Sequence, residues 1–180
     1  MTATAPDNPD AFAKVFVHVY APVAVSNISL AQEELIMVAG ETTTVDYSVT
    51  PANFTETFNW SSDNPTVASV DSNGRITAKS MGSANIIIMT KSGRKASVKV
   101  FVVGLSKTKL TLHQYESLKL KLEVYGAGSN NLTVKWDTDN QGIAEMNNGK
   151  VTARACGTTT VYAIVNGRAI GCTVKVIKNS

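Results

Sequence analysis

One stretch occurs twice in this chain, and that repeat limits what the chain can fold into. The first copy runs from Trp60 to Gly82 and the second from Trp136 to Gly157. The positions that the two copies share are Trp60/Trp136, Asn64/Asn140, Ala68/Ala144, Gly74/Gly149, Thr77-Ala78/Thr152-Ala153 and Gly82/Gly157. A period of about 75 residues is the length of one small domain, so the sequence predicts a tandem array.

Alternation of apolar and polar residues around each copy predicts β-strands. Phe58 and Trp60 share one strand face, as do Val134 and Trp136, so both indoles are predicted to point inward. Trp60 and Trp136 are therefore interpreted as structural core residues rather than as exposed ligand platforms.

Turn residues separate these strands. Asn73-Gly74 and Asn166-Gly167 predict type I′ hairpins, because both residue types tolerate positive φ, and a further hairpin is expected around Ser92-Gly93. The second repeat has Tyr115 where the first has Gly40, so the turn at that point is expected to differ between the repeats.

The order of these motifs resembles the group-2 bacterial immunoglobulin-like domain. The residues that carry the resemblance are the tryptophan, a polar turn, V-A-x-V, then N-G-[RK]-[IV]-T-A and a glycine that opens an alternating strand, over about Ile28 to Val103 and Leu105 to Ile177. The resemblance implies an antiparallel β-sandwich of the kind found in bacterial surface adhesins and phage virion proteins, with no enzymatic activity attached to the fold.

The expected fold is all-β, with two tandem seven-stranded immunoglobulin-like sandwiches at residues 22–103 and 104–180. An N-terminal arm and strand, residues 1–21, precede them. Val103-Gly104-Leu105 is predicted to run the last strand of the first domain into the first strand of the second, and so short a join predicts a semi-rigid pair with some bending at Gly104. A join of this length also predicts little shared interface, and hence two sandwiches that unfold nearly independently.

The N-terminal strand is predicted over Ala11–Tyr20, with valines on one face and larger residues on the other. It has no partner within its own repeat, and an unpaired apolar strand invites pairing with another chain. The residues expected to make that contact, and through it a homo-oligomer or an attachment, are Phe12, Phe16, His18 and Tyr20. Two alternatives remain: the strand covers an edge of the first sandwich, or it is the remnant of a truncated preceding repeat.

No catalytic residue, cofactor or metal site is expected. The loop Asp137–Gly142 has oxygen ligands at alternate positions, but Asn148 stands where a calcium loop needs a bidentate glutamate, so an Asx-rich turn is predicted. Hairpin register places Cys172 opposite Val161, so Cys172 and Cys156 are interpreted as buried free thiols rather than a disulfide. Neither histidine, His18 nor His113, is paired with a nucleophile or a second metal ligand.

A formal charge of +3 is spread along the strands, which argues against nucleic-acid binding, and no apolar run is long enough to span a membrane. The N-terminus has no secretory signal, which together with Met1 favours a phage virion surface protein, such as a capsid decoration or tail-associated subunit. Its expected partners are other virion subunits or a host receptor. The likeness of residues 11–20 to the closing strand of each repeat favours the alternative, a fragment of a bacterial cell-surface adhesin or stalk. A module that binds cell-surface glycans is the third reading.

Overall fold

The computed structural model describes residues 2–5, 8–14, 18, 21–125 and 132–179, and over residues 2–14 it describes the backbone alone. All regular structure in these residues is β-strand, which confirms the all-β prediction. The N-terminal strands are β1 (Thr2–Ala5) and β2 (Asn8–Lys14). No helix in the described residues is long and apolar enough to cross a membrane.

The first sandwich is built from nine strands. They are β3 (Asn27–Leu30), β4 (Glu34–Val38), β5 (Thr42–Thr44), β6 (Tyr47–Thr50), β7 (Phe58–Ser62), β8 (Ala68–Val70), β9 (Arg75–Ala78), β10 (Gly82–Thr90) and β11 (Lys95–Leu105). One layer has the order β4-β11-β10-β7, and the other consists of the pair β3-β6 and the sheet β5-β9-β8. β3 and β4 are two segments of one strand that passes from one layer to the other. β5 and β6 are two segments of another strand within a single layer. The nine segments therefore fill seven strand positions.

The second sandwich repeats this arrangement. Its strands are β12 (Lys109–His113), β13 (Ser117–Lys119), β14 (Leu122–Glu123), β15 (Val134–Thr138), β16 (Ala144–Asn147), β17 (Lys150–Ala153), β18 (Gly157–Val165) and β19 (Arg168–Ile177). One layer has the order β12-β19-β18-β15 and the other contains β13-β17-β16. In both sandwiches the strand that switches layers runs parallel to the closing strand, β4 along β11 and β12 along β19.

Each sandwich has its own apolar core between its layers. Met37, Ile76, Ile86 and Val100 are among the fully buried residues of the first core, and Val151, Ala163 and Val174 are among those of the second. Trp60 and Trp136 are partly buried and pack against these two cores, which agrees with their inward prediction.

Two of the three predicted hairpins have the expected turn. Asn166 and Gly167 take φ values of 50° and 83°, and the β10–β11 hairpin turns at Gly93. The type I′ prediction for Asn73-Gly74 is wrong, because only Gly74 has a positive φ. The first repeat has one more residue here, and the Asp71 carboxylate accepts hydrogen bonds from the amides of Asn73 and Arg75 across a longer turn. The second repeat forms the two-residue turn, at Asn148 and Gly149.

The turn at Tyr115 is the same as the turn at Gly40, contrary to expectation. Tyr115 adopts a left-handed φ of 70°, against 92° for Gly40. The amides of Gly40 and Tyr115 donate to the carbonyls of Ala78 and Ala153, each at 2.9 Å. The surrounding hydrogen bonds hold a tyrosine in a backbone conformation that costs about 1–2 kcal/mol for a non-glycine residue.

The N-terminal strand also differs from the expectation. β2 (Asn8–Lys14) begins before the predicted strand over Ala11–Tyr20 and pairs antiparallel with β1, so the prediction is wrong in its start and in leaving the strand without a local partner; residues 15–17, 19 and 20 lie outside the described residues. His18 lies outside any strand. A hairpin satisfies the backbone of one edge of β2 without a second subunit, a possibility that the alternation pattern alone does not reveal.

Thr159 carries the one buried side-chain polar atom without a hydrogen-bond partner in the described residues. It is 6% exposed, and its counterpart in the first repeat is Ala84. Replacing a buried unpaired hydroxyl with a methyl group of the same shape removes a desolvation cost, so Thr159→Val should raise the free energy of unfolding by about 1 kcal/mol in urea titration. Exposed Thr158→Val is the control and should change little. A loss of stability in Thr159→Val would show that the hydroxyl has a partner.

Candidate functional site

Of the four predicted contact residues, the structure describes the backbone of Phe12 and the placement of His18. Phe12 lies in β2 with its backbone opposite Thr4, and nothing is described of its side chain. Phe16 and Tyr20 lie outside the described residues. His18 is exposed. The contact through Phe12, Phe16, His18 and Tyr20 therefore stays a prediction.

Asp137 and Thr138 end β15, and residues 139–142 of the predicted loop form a hydrogen-bonded turn. The Asn140 carboxamide oxygen accepts from the Gly142 amide at 2.9 Å, which closes the turn. The Asp139 carboxylate accepts from the Tyr162 hydroxyl at 2.9 Å, and this hydrogen bond raises the pKa of Tyr162. In the described part of the chain, no three His, Cys, Asp or Glu residues are grouped so that they could hold a metal ion.

The two cysteines are free thiols, and Cys172 pairs with Val161 as the register predicts. The prediction that both are buried is wrong for Cys156, which is exposed directly before β18, whereas Cys172 is fully buried. Position 156 follows a turn rather than an alternating strand, so periodicity gives no sign of its exposure. Burial raises the pKa of the Cys172 thiol, an effect that the charge of Lys107 partly offsets.

This difference predicts selective labelling. Because the thiolate is the reactive form and must reach solvent, a thiol reagent should modify Cys156 rapidly in the native protein and Cys172 only after unfolding. Native labelling followed by labelling in denaturant, with peptide mapping, measures both. Cys156→Ser provides the control, which should show no fast phase. Rapid native modification of Cys172 would contradict the burial of β19.

The joint between the sandwiches has the predicted continuous strand through Val103-Gly104-Leu105, but sequence reasoning missed the other contacts that hold the two sandwiches together. β11 does not stop at the end of the first sandwich. Val100 and Val102 lie in the first core, whereas Val103 and Leu105 lie in the second. This strand therefore belongs to both domains, and the continuous apolar run over residues 100–103 is its signal in the sequence, typical of a strand covered on both faces.

Backbone pairing continues across this joint. Gly104 and Leu105 pair antiparallel with Glu123 and Leu122 of β14, so the end of β11 supplies the first strand of the second sandwich. The Ser106 amide extends the ladder by donating to the Lys121 carbonyl at 2.9 Å. The expected bend at Gly104 is contradicted, because this residue lies inside a paired strand.

Side chains also connect the two sandwiches, between the β4–β5 turn of the first and the start of β19 in the second. The Arg168 Nε lies 2.9 Å from the Glu41 Oε1, and the Arg168 Nη1 donates to the Glu41 Oε2 at 3.1 Å. Ile36 and Val38 of β4 pack against the core of the second sandwich. The expectation of little shared interface is therefore wrong: a shared strand, a bidentate ion pair and apolar contacts connect the two domains.

An aromatic group forms a second surface feature, on the first sandwich. Tyr47 is 43% exposed, and its ring makes edge contacts with Phe58 and Trp60 at centroid distances of 5.7 Å. Alternation alone predicts Tyr47 on the same face as Val45, but the strand is interrupted between β5 and β6, which turns the tyrosine outward.

The depressions on the surface are shallow and open to solvent, and the side chains of the one described next do not form a catalytic arrangement. One of about 400 Å³ is lined by Ser117, Leu118, Lys119, Asn147, Asn148 and Lys150. Its polar groups are amides, a hydroxyl and two ammonium groups, a set without a general base beside a nucleophile.

Two solved structures are among those similar to this chain. Domains 5–6 of the S-layer protein SbsC are 18% identical, with a TM-score of 0.38, over 87% of this chain and 99% of that one. A C-terminal fragment of intimin, solved in complex with the intimin-binding domain of its translocated receptor, is 17% identical, with a TM-score of 0.43, over 85% of this chain and 64% of the fragment. At these values neither similarity bears on function.

One curated relative is an uncharacterized protein of Clostridium acetobutylicum, 27% identical over 167 residues. The match covers 86% of this chain but only 17% of the relative. The family model for the bacterial Ig-like domain (group 2) matches twice in tandem, over residues 24–101 and 100–176. The two matches coincide with the two sandwiches and together span most of the sequence. The chain belongs to the bacterial Ig-like domain (group 2) family.

Proposed function

We propose that this chain is a non-catalytic structural module that displays or spaces other parts of an assembly on an extracellular surface, with the virion surface as the first location to test. The observation that carries this proposal is the joint. A shared strand and a bidentate ion pair keep two sandwiches in a fixed relation, which a spacer needs. The ionisable groups of the described residues are by contrast dispersed, and they form no constellation suited to catalysis.

The bacterial cell surface is the second location. The match to a bacterial protein of which this chain covers 17% favours a module within a long bacterial polypeptide. Immunogold microscopy with antibodies against this chain distinguishes the locations. Label on intact purified particles supports a virion component, and label on intact cells supports a cell-surface protein. Label that requires cell lysis would overturn surface display in either form.

Attachment through residues 1–20 is the finer part of this proposal. In it, the segment that contains the β1–β2 hairpin and residues Phe12, Phe16, His18 and Tyr20 binds another virion subunit or a surface receptor, while the sandwiches project outward. Deletion of residues 1–20 should abolish attachment and leave the melting temperature unchanged. Retained attachment would refute this role. A lower melting temperature would instead support the alternative that the segment covers an edge of the first sandwich.

A further inference from the structure

The acceptor of the ion pair at the internal joint is the Glu41 carboxylate, which hydrogen bonds within its own turn hold in place. Glu41 Oε2 accepts a hydrogen bond from the Val38 amide at 2.8 Å, and the Glu41 amide donates to the Val38 carbonyl at 3.0 Å. This arrangement holds the carboxylate toward Arg168 of the next domain. A side chain held in this way loses little entropy when an arginine binds it.

The second sandwich has the same carboxylate arrangement at the end that lies away from the internal joint. Glu116 Oε2 accepts from the His113 amide at 2.6 Å, and the Glu116 amide donates to the His113 carbonyl at 3.0 Å. Glu116 is exposed, and its Oε1 accepts no hydrogen bond from any group in the described residues. Glu116 is thus the counterpart of Glu41 without the arginine.

The neighbouring Tyr115 is 71% exposed. Its counterpart Gly40 lies beside the formed joint, and a Cβ added there meets no atom within 4 Å, so there is room for a side chain to begin at this position. The tyrosine ring also offers a face on which an arginine guanidinium stacks favourably.

The arginine that donates at the internal joint also has a counterpart, in the first sandwich. Arg168 follows the Asn166-Gly167 turn and pairs with Val165. Arg94 follows the β10–β11 turn in the same way, and its carbonyl accepts from the Thr90 amide at 2.8 Å. Gly93 and Gly167, directly before the two arginines, have φ values of 90° and 83°. Arg94 is exposed and forms no ion pair in the part of the chain that the structure describes.

The hairpin that carries Arg94 is positively charged and held in place. Lys91, Arg94 and Lys95 surround its tip, and the Glu56 carboxylate accepts from both the amide and the hydroxyl of Ser92. One end of the chain therefore presents a fixed carboxylate, and the other presents a fixed cationic hairpin. At the internal joint the corresponding groups are the Glu41 carboxylate and the Arg168 guanidinium, which form an ion pair.

We propose that copies of this chain associate head to tail, with the Arg94 hairpin of one copy binding Glu116 of the next in the geometry of the Arg168–Glu41 pair. Such an interface uses two different surfaces and leaves one of each free, so it extends into open chains rather than closing as a dimer. At the positions of Ile36 and Val38, the second sandwich has Thr111 and His113. The contact is consequently more polar than the internal joint, and it should weaken as salt is added.

Sedimentation equilibrium of the full chain at low ionic strength tests this proposal. The wild type should form oligomers whose mass increases with protein concentration and decreases with salt. Glu116→Arg and Arg94→Glu should each be monomeric, because like charges then face each other. A mixture of the two variants, or a chain with both changes, should associate again, since opposite charges meet once more.

Glu116→Gln keeps an acceptor for the His113 amide but removes the charge, so it should weaken association without altering the melting temperature. Glu33→Arg and Lys79→Glu reverse exposed charges away from the proposed contact and should associate like the wild type. A monomeric wild type at millimolar concentration would overturn the proposal. So would a dimer that both charge reversals leave intact.

Discussion

Trp136→Ala should lower the free energy of unfolding by about 3 kcal/mol, the lower end of the range for large aromatic truncations, because the ring is partly rather than fully buried. The indole packs against the second core, opposite Ala163 on the neighbouring strand. It also fills the space over Gly149, where an added Cβ would lie 3.2 Å from the ring.

Urea unfolding monitored by far-ultraviolet circular dichroism measures this loss. Tyr125→Ala is the matched control, because Tyr125 is 48% exposed and its removal should change stability little. Equal effects of the two substitutions would contradict the packing of the β15 face.

Leu105→Ala should destabilise the second sandwich by about 2–5 kcal/mol, although Leu105 belongs to the last strand of the first. Its side chain is 3% exposed within the second core, and its backbone pairs with Leu122. Truncation leaves a cavity at the start of the second domain, in a strand that cannot shift without disturbing the first.

Residue-resolved amide exchange locates this effect. In Leu105→Ala, protection should fall mainly in β12–β19. Leu30→Ala is the matched control, since Leu30 pairs with Tyr47 at the equivalent position of the first sandwich and should affect that sandwich instead. Loss of protection confined to the first sandwich in Leu105→Ala would show that residues 104–105 do not belong to the second core.

Residue patterns predict the fold because its local determinants are strong. The duplicated Trp and Asn-Gly motifs specify the number of domains, and alternation identifies most strands and the inward faces of Trp60 and Trp136. Turn geometry is harder to predict. Asn73-Gly74 has the type I′ residues but an additional residue in its loop. Tyr115 adopts a glycine-like conformation that only tertiary hydrogen bonds explain: its amide donates to the Ala153 carbonyl, and the Ala153 amide donates to the Glu116 carbonyl.

The continuous strand at the joint is predictable from the short linker, but the side-chain contacts there are not, because they are not local. Glu41 and Arg168 are separated by 127 residues, and no periodicity relates them. A short linker indicates that two domains are close, but it does not indicate whether they touch. The buried run through Val103 and Leu105 is the one local sign that the last strand of the first sandwich is covered on both faces.

The two sandwiches form one coupled unit, and residual dipolar couplings of the backbone amides test this coupling most directly. In a weakly aligned sample of Arg94→Glu, a variant expected to remain monomeric, a single alignment tensor should fit both residues 24–101 and residues 108–176. Two tensors of clearly different magnitude would show that the domains reorient independently about Gly104, and would contradict the joint.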